Sequence, residues 1–207
     1  MGVRCASGSL DGCASSTVTS RGPRSPSPEF RTLSTKSKSS RGQWRAYPER
    51  VRGDGDGWVF SHEGTRHWGR HGAAGLLLRA PLDTGTWAVL LQHRAPWSHQ
   101  GGTWGLPGGA LDSHETPEEG ALREAHEEAG LPREHLQVRF SVVTAEVRGP
   151  GGVHWTYTTV VADAPETLPT VLNQESTALS WVAIEEVTSM PLHPGFAASW
   201  KLLSSRL

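Results

Sequence analysis

The stretch Gly108-Gly109-Ala110-Leu111-Asp112-Ser113-His114-Glu115-Thr116-Pro117-Glu118-Glu119-Gly120-Ala121-Leu122-Arg123-Glu124-Ala125-His126-Glu127-Glu128-Ala129-Gly130-Leu131-Pro132 contains a helix that announces both of its ends. Thr116 offers an N-cap hydroxyl, Pro117 a first helical residue, and Glu119 the carboxylate of a capping box. Gly130 followed by Pro132 stops the helix. The spacing predicts a helix over residues 116–129, with Leu122, Ala125 and Ala129 recurring every three or four positions as its buried stripe.

Its other side is acidic. Glu124, Glu127 and Glu128 stand at i, i+3 and i+4, so their carboxylates converge on one face. Like charges placed this way cost an isolated helix roughly 0.2 to 0.5 kcal/mol per pair. Three neighbours argue for more than a solvated face. Trp104-Gly105-Leu106-Pro107-Gly108-Gly109 is a glycine-rich loop whose backbone can approach a ligand closely. Arg123 is a cation beside the cluster, and Glu115 lies just before the cap. Carboxylates converging beside exposed carbonyls are a ligand set for Mg²⁺, or for Mn²⁺ in its place.

Outward from the helix, apolar runs bounded by Gly, Pro and Asp predict strands over residues 73–79, 87–94, 138–147, 155–162 and 179–183. The run from His154 to Val161 is the clearest of these, being rich in β-branched and aromatic residues. A second helix is predicted over residues 195–203. Several strands with one central and one terminal helix describe an α+β domain layered αβα.

The chain of 207 residues carries a formal net charge of −1, which conceals a division. Residues 1–50 hold nine Lys or Arg against three Asp or Glu, and the rest is acidic. An acidic body argues against gripping a nucleic-acid polymer. Cys5 and Cys13 both fall in the N-terminal stretch, so neither a disulfide framework nor a cysteine-based zinc site organises the body. No run approaches the roughly 20 apolar residues of a membrane-spanning helix. Residues 1–50, rich in Ser, Arg and Pro, read as a disordered basic tail without the apolar region of a secretory signal. Residues 51–207 read as the working domain, and the expected compartment is the cytoplasm.

Gly109, five residues, Glu115, seven residues, then Arg123-Glu124-Ala125-His126-Glu127-Glu128-Ala129-Gly130-Leu131 resembles the Nudix box with every invariant position filled. Ala125 stands where that family more often has a larger aliphatic residue. Residues 51–207 look like the MutT-like branch of the Nudix hydrolases. The resemblance implies the Nudix fold, a mixed β-sheet with the box helix and a C-terminal helix. It also implies hydrolysis of a nucleoside triphosphate such as 8-oxo-dGTP to the monophosphate and pyrophosphate, by water attacking the β-phosphorus.

Carried over position by position, Glu124, Glu127 and Glu128 with the Gly108 carbonyl would hold Mg²⁺, and Glu175 would join them. Arg123 and Glu115 would orient the helix against the loop, and a carboxylate of the site would take the proton. Arg94 would face the phosphates. His193 would meet the base edge where the branch usually places an amide, and Trp97, Trp104 and Phe196 are the candidate stacking platforms. The other readings are a Nudix hydrolase of ADP-ribose or a dinucleotide polyphosphate, and a non-catalytic nucleotide sensor. Oligomeric state is not legible in the sequence.

Overall fold

The computed structural model describes residues 53–207; the basic tail with Cys5 and Cys13 lies outside the described residues. Two three-residue strands, β1 (Trp58–Phe60) and β2 (Arg66–Trp68), form an antiparallel hairpin of their own. The main sheet has seven strands: β3 (Ala73–Pro81), β4 (Trp87–Arg94), β5 (Trp104–Gly105), β6 (Gly108–Ala110), β7 (Gln137–Arg148), β8 (His154–Asp163) and β9 (Ser176–Ala183). Its main path runs β5-β4-β3-β8-β7, with β6 paired to β3 and β9 to β4. Only the β3–β8 pairing is parallel, so the sheet is mixed.

Sequence explains why β3 and β8 sit in the middle. Ala73-Ala74-Gly75-Leu76-Leu77-Leu78 is a continuous apolar run, the signature of a strand covered on both faces. Leu76, Leu78, Leu90, Val160 and Ala162 point to one side, where helix α1 (Pro117–Ala129) lays down Leu122, Ala125 and Ala129. Leu77, Val89, Leu91 and Val161 alternate to the other side, against Phe196, Trp200 and Leu203 of helix α2 (Pro194–Ser204). The period-two alternation of the central strands thus divides the core into two apolar layers beneath two helices.

Helix α1 carries the capping box read from the sequence. Thr116 Oγ1 accepts from Glu119 N at 3.2 Å and Glu119 Oε2 accepts from Thr116 N at 2.9 Å. Gly130 closes the helix in the left-handed conformation at φ 69°. Strand β9 begins three residues earlier than its apolar pattern indicates, because its first residues pair with His93 and Arg94 across a bulge. The hairpin and the strands β5 and β6 were not legible: three residues are too few to show a period, and glycine and proline in β5–β6 mask the strand signal. Among the described residues, no helix is long and apolar enough to cross a membrane.

Candidate active site

The loop from β5 to β6 and helix α1 are tied together by the residues of the acidic motif. Glu128 is 4% exposed, and its Oε2 accepts the backbone N–H of Gly108 at 2.8 Å. The sequence places this side chain on the outer face; the structure turns it inward because the glycine loop folds over that part of the helix. Burial, then the charge of Glu124, pushes the Glu128 carboxyl up to about 8, against the pull of the Gly108 N–H. Glu124 is half-buried and also raised, first by burial, with Glu127 and Glu175 adding repulsion. Glu127 and Glu175 are exposed. The mutual repulsion shows that Glu124, Glu127, Glu128 and Glu175 share one electrostatic neighbourhood.

Arg123 is the cation of this cluster, and it is fully engaged. Its Nε donates to Glu115 Oε1 at 2.6 Å, Nη2 to Glu115 Oε2 at 2.9 Å and to Ala110 O at 3.0 Å, and Nη1 to Glu124 Oε1 at 2.7 Å. Hydrogen bonding to Arg123 holds the Glu115 carboxyl below its ordinary range. Glu115 Oε2 also accepts from Asp112 N at 3.0 Å, so the turn before α1 is clamped from both sides.

The glycines of the motif have a steric reason. A Cβ on Gly109 would lie 2.5 Å from Glu124 Oε1, and one on Gly108 would lie 2.3 Å from Ala74 O. Only a residue without a side chain lets Glu124 and β3 approach this closely.

Crowded carboxylates, one of them buried, form an oxygen donor set lacking enough positive charge. That set fits a hard divalent cation, which would displace the proton burial places on Glu128. A separate acidic group, Asp54, Asp112 and His114, brings its ligand-capable atoms within 4.8 Å of one another. There Asp112 Oδ1 accepts from Gly55 N at 3.0 Å and Asp54 Oδ1 from Ser113 N at 2.8 Å. Those bonds staple the N-terminal turn to the segment before α1.

A cleft of about 390 Å³ opens beside Gly108 and Gly109. Arg94, Tyr157, His193 and Phe196 line it, together with Trp155 and with Arg66, His67 and Trp68 of β2. Arg94 Nε donates to His99 O at 3.0 Å. His193 caps α2 by accepting from Gly195 N at 3.1 Å. Burial, with Arg94 and His99 adding repulsion, pulls its imidazole down to about 4, so at neutral pH it is uncharged, and with Nδ1 taken by the Gly195 N–H its Nε2–H is the group left to donate.

The structure therefore brings Arg94, Gly108, His193 and Phe196 to one cleft. It does not bring Trp97 or Trp104 to the lining. Trp97 is 74% exposed. Trp104 packs on His93 with ring centroids 4.9 Å apart, and its backbone contributes instead: Trp104 O accepts from His193 N at 2.7 Å and so positions that imidazole.

The residues that sequence reasoning missed are Trp155, Tyr157, His67 and Trp68. One signal was available, since Trp155 and Tyr157 share a face of β8 by period two. Nothing in the local sequence says that this face looks onto the cleft. Burial raises the Tyr157 phenol well above its ordinary value, with Glu128 adding to the shift. The phenol oxygen occupies the space that a side chain at Gly75 would need.

A layered αβα domain in which a glycine loop, backed by an acidic box helix, borders a cleft is the architecture of a Nudix hydrolase. Residues 69–204 match the NUDIX domain family, and the chain belongs to that family. It is 71% identical over 158 residues to a Mycobacterium tuberculosis protein named "Putative 8-oxo-dGTP diphosphatase 3", covering 76% of this chain and 73% of that one. Among solved structures it resembles RenU, a Nudix hydrolase of M. smegmatis, at 68% identity and a TM-score of 0.72, covering 73% of this chain and 94% of that chain. A C. elegans Ap4A hydrolase shares the fold at 21% identity and a TM-score of 0.52, over 66% of this chain and 96% of its own. The chain is a hydrolase of the Nudix type, a class that generally uses a divalent metal.

Proposed function

We propose that this protein is a Mg²⁺-dependent nucleoside triphosphate pyrophosphohydrolase acting on 8-oxo-dGTP or a related oxidised purine nucleotide. The products are the monophosphate and pyrophosphate, and the role is to clear damaged precursors from the nucleotide pool. The enzyme acts in the cytoplasm on free nucleotides. The observation that carries it is a cleft lined by Arg94, His193 and aromatic rings that opens beside Gly108 and Gly109, the two glycines against which the carboxylates of Glu128 and Glu124 pack. The name of the M. tuberculosis relative supports the choice of substrate.

Glu124, Glu127, Glu128 and Glu175, with the Gly108 carbonyl, would hold Mg²⁺. When bound, the ion would offset charge on the phosphoryl group and acidify the attacking water. Arg94 binds the phosphate chain in the orientation needed for attack at the β-phosphorus. A carboxylate of the cluster takes the proton from that water. Arg123 and Glu115 keep the helix and loop in register, as partners one step behind the ligands do.

A panel of 8-oxo-dGTP, dGTP, ADP-ribose and dinucleotide polyphosphates, with every product quantified separately, tests this. The expected result is highest kcat/KM for 8-oxo-dGTP with pyrophosphate released. Preferential conversion of ADP-ribose to AMP and ribose phosphate would overturn it.

A further inference from the structure

The hairpin β1–β2 pairs with no strand of the main sheet, and it ends at Trp68, one residue before the family match begins at Gly69. It is nevertheless built into the cleft. Trp155 Nε1 donates to Trp68 O at 3.0 Å, fastening the hairpin to β8. The His67 ring stacks on Trp155 with centroids 4.7 Å apart and planes tilted by 37°. Trp58 packs edge-on against Trp68 at 4.9 Å, and Arg66 lies 4.8 Å above the Trp58 ring.

The same chain of rings continues around the mouth. Trp58 meets His99 at 5.8 Å, and His99 meets His193 at 6.4 Å, at the start of α2. From the hairpin to the α2 cap, the mouth of the cleft is therefore edged by rings, with the Arg94 guanidinium held among them by His99 O. Trp68 lines this space and is 40% exposed. A ring held by its backbone and by a neighbouring tryptophan, yet left partly open, is a stacking surface that costs little entropy on use.

We infer that β2 supplies the base-reading wall of the cleft, with Trp68 and His67 as specificity-determining residues for a purine base. This rests on the proposed nucleotide substrate but assigns to the hairpin what the box cannot do, since the box engages phosphates and does not read the base. The imidazoles of His67 and His99 support the assignment. Burial pulls both below the ordinary histidine value, and uncharged imidazoles suit the hydrogen-bonding edge of a base better than a phosphate.

The test measures binding of 8-oxo-dGMP, dGMP and inorganic pyrophosphate to the full chain by calorimetry, in parent, Trp68→Ala, Trp68→Phe and His67→Ala. Kinetics on 8-oxo-dGTP and dGTP accompany the binding. Loss of one base–aromatic stack weakens binding roughly 5- to 150-fold. The expected result is a loss on that scale for the monophosphates in Trp68→Ala. Partial rescue is expected in Trp68→Phe, and a much smaller change for pyrophosphate, which has no base. The preference for 8-oxo-dGTP over dGTP should shift in His67→Ala. Unchanged monophosphate affinity in folded Trp68→Ala and His67→Ala overturns the inference. So does an equal loss for pyrophosphate, which would mark a structural role. If Trp68→Ala does not fold, parent-like binding by Trp68→Phe together with unaltered binding and selectivity in His67→Ala also overturns it. Should the parent bind monophosphates through the hairpin yet hydrolyse neither triphosphate, the hairpin assignment stands and the proposed reaction falls.

Discussion

Arg123 grips Glu115 with two nitrogens, Nε to Oε1 at 2.6 Å and Nη2 to Oε2 at 2.9 Å, while its remaining nitrogen holds Glu124 at 2.7 Å. One guanidinium thus joins the turn before α1 to a carboxylate of the site. Lysine cannot reproduce this fork. Arg123→Lys should lower stability by about 2 kcal/mol, the scale of hydrogen bonds to charged groups, and reduce kcat roughly 10- to 100-fold. Urea denaturation and steady-state kinetics of one preparation check both numbers.

Glu124→Gln keeps an acceptor for Arg123 and removes the charge. Turnover should fall by on the order of 10²-fold or more if Glu124 is the proposed metal ligand rather than a supporting partner. The melting temperature and circular dichroism should match the parent, and Mn²⁺ should bind more weakly. Parent-like turnover would show that the box does not carry the chemistry.

The two glycines of the loop should fail differently when changed to alanine. At Gly108 the new methyl meets Ala74 O at 2.3 Å and the Gly75 Cα at 2.5 Å, both backbone atoms that cannot move aside. Gly108→Ala should therefore cost roughly 1 to 3 kcal/mol of stability or more. At Gly109 it meets the end of the Glu124 side chain at 2.5 Å, which can swing away. Gly109→Ala should keep its stability to within about 1 kcal/mol and lose activity, because the displaced group is a proposed metal ligand. Thermal melts set against kcat separate the two.

His193 predicts a pH dependence of stability. Its folded-state value of about 4 lies below the ordinary 6.5, first through burial. Between these values the unfolded chain binds the extra proton, so this residue's contribution falls as pH drops from 6.5 towards 4. The slope it contributes is at most about 1.4 kcal/mol per pH unit. Asparagine can also cap a helix, so His193→Asn should keep α2 intact and show a shallower loss of urea midpoint between pH 6.5 and 4.5. Identical slopes would remove His193 as the source.

Local hydrogen bonding and short periods determined a good deal from the sequence alone. Thr116, Pro117, Glu119 and Gly130 specify both ends of α1 because caps are satisfied within four residues. The spacing from Gly109 to Leu131 placed the carboxylates together because a helix repeats every 3.6 residues. The apolar runs marked the central strands and hence the layered class.

Only the tertiary structure decided what meets across long separations. Trp155 reaches Trp68 over 87 positions, and Gly108 reaches Glu128 over 20. No local pattern records those pairings. They arise when strand order and loop closure bring distant backbone together, which is why Glu128 is buried rather than outward. For the same reason Trp68 and Trp155 wall the cleft, while Trp97 and Trp104, conspicuous in the sequence beside the glycine loop, do not.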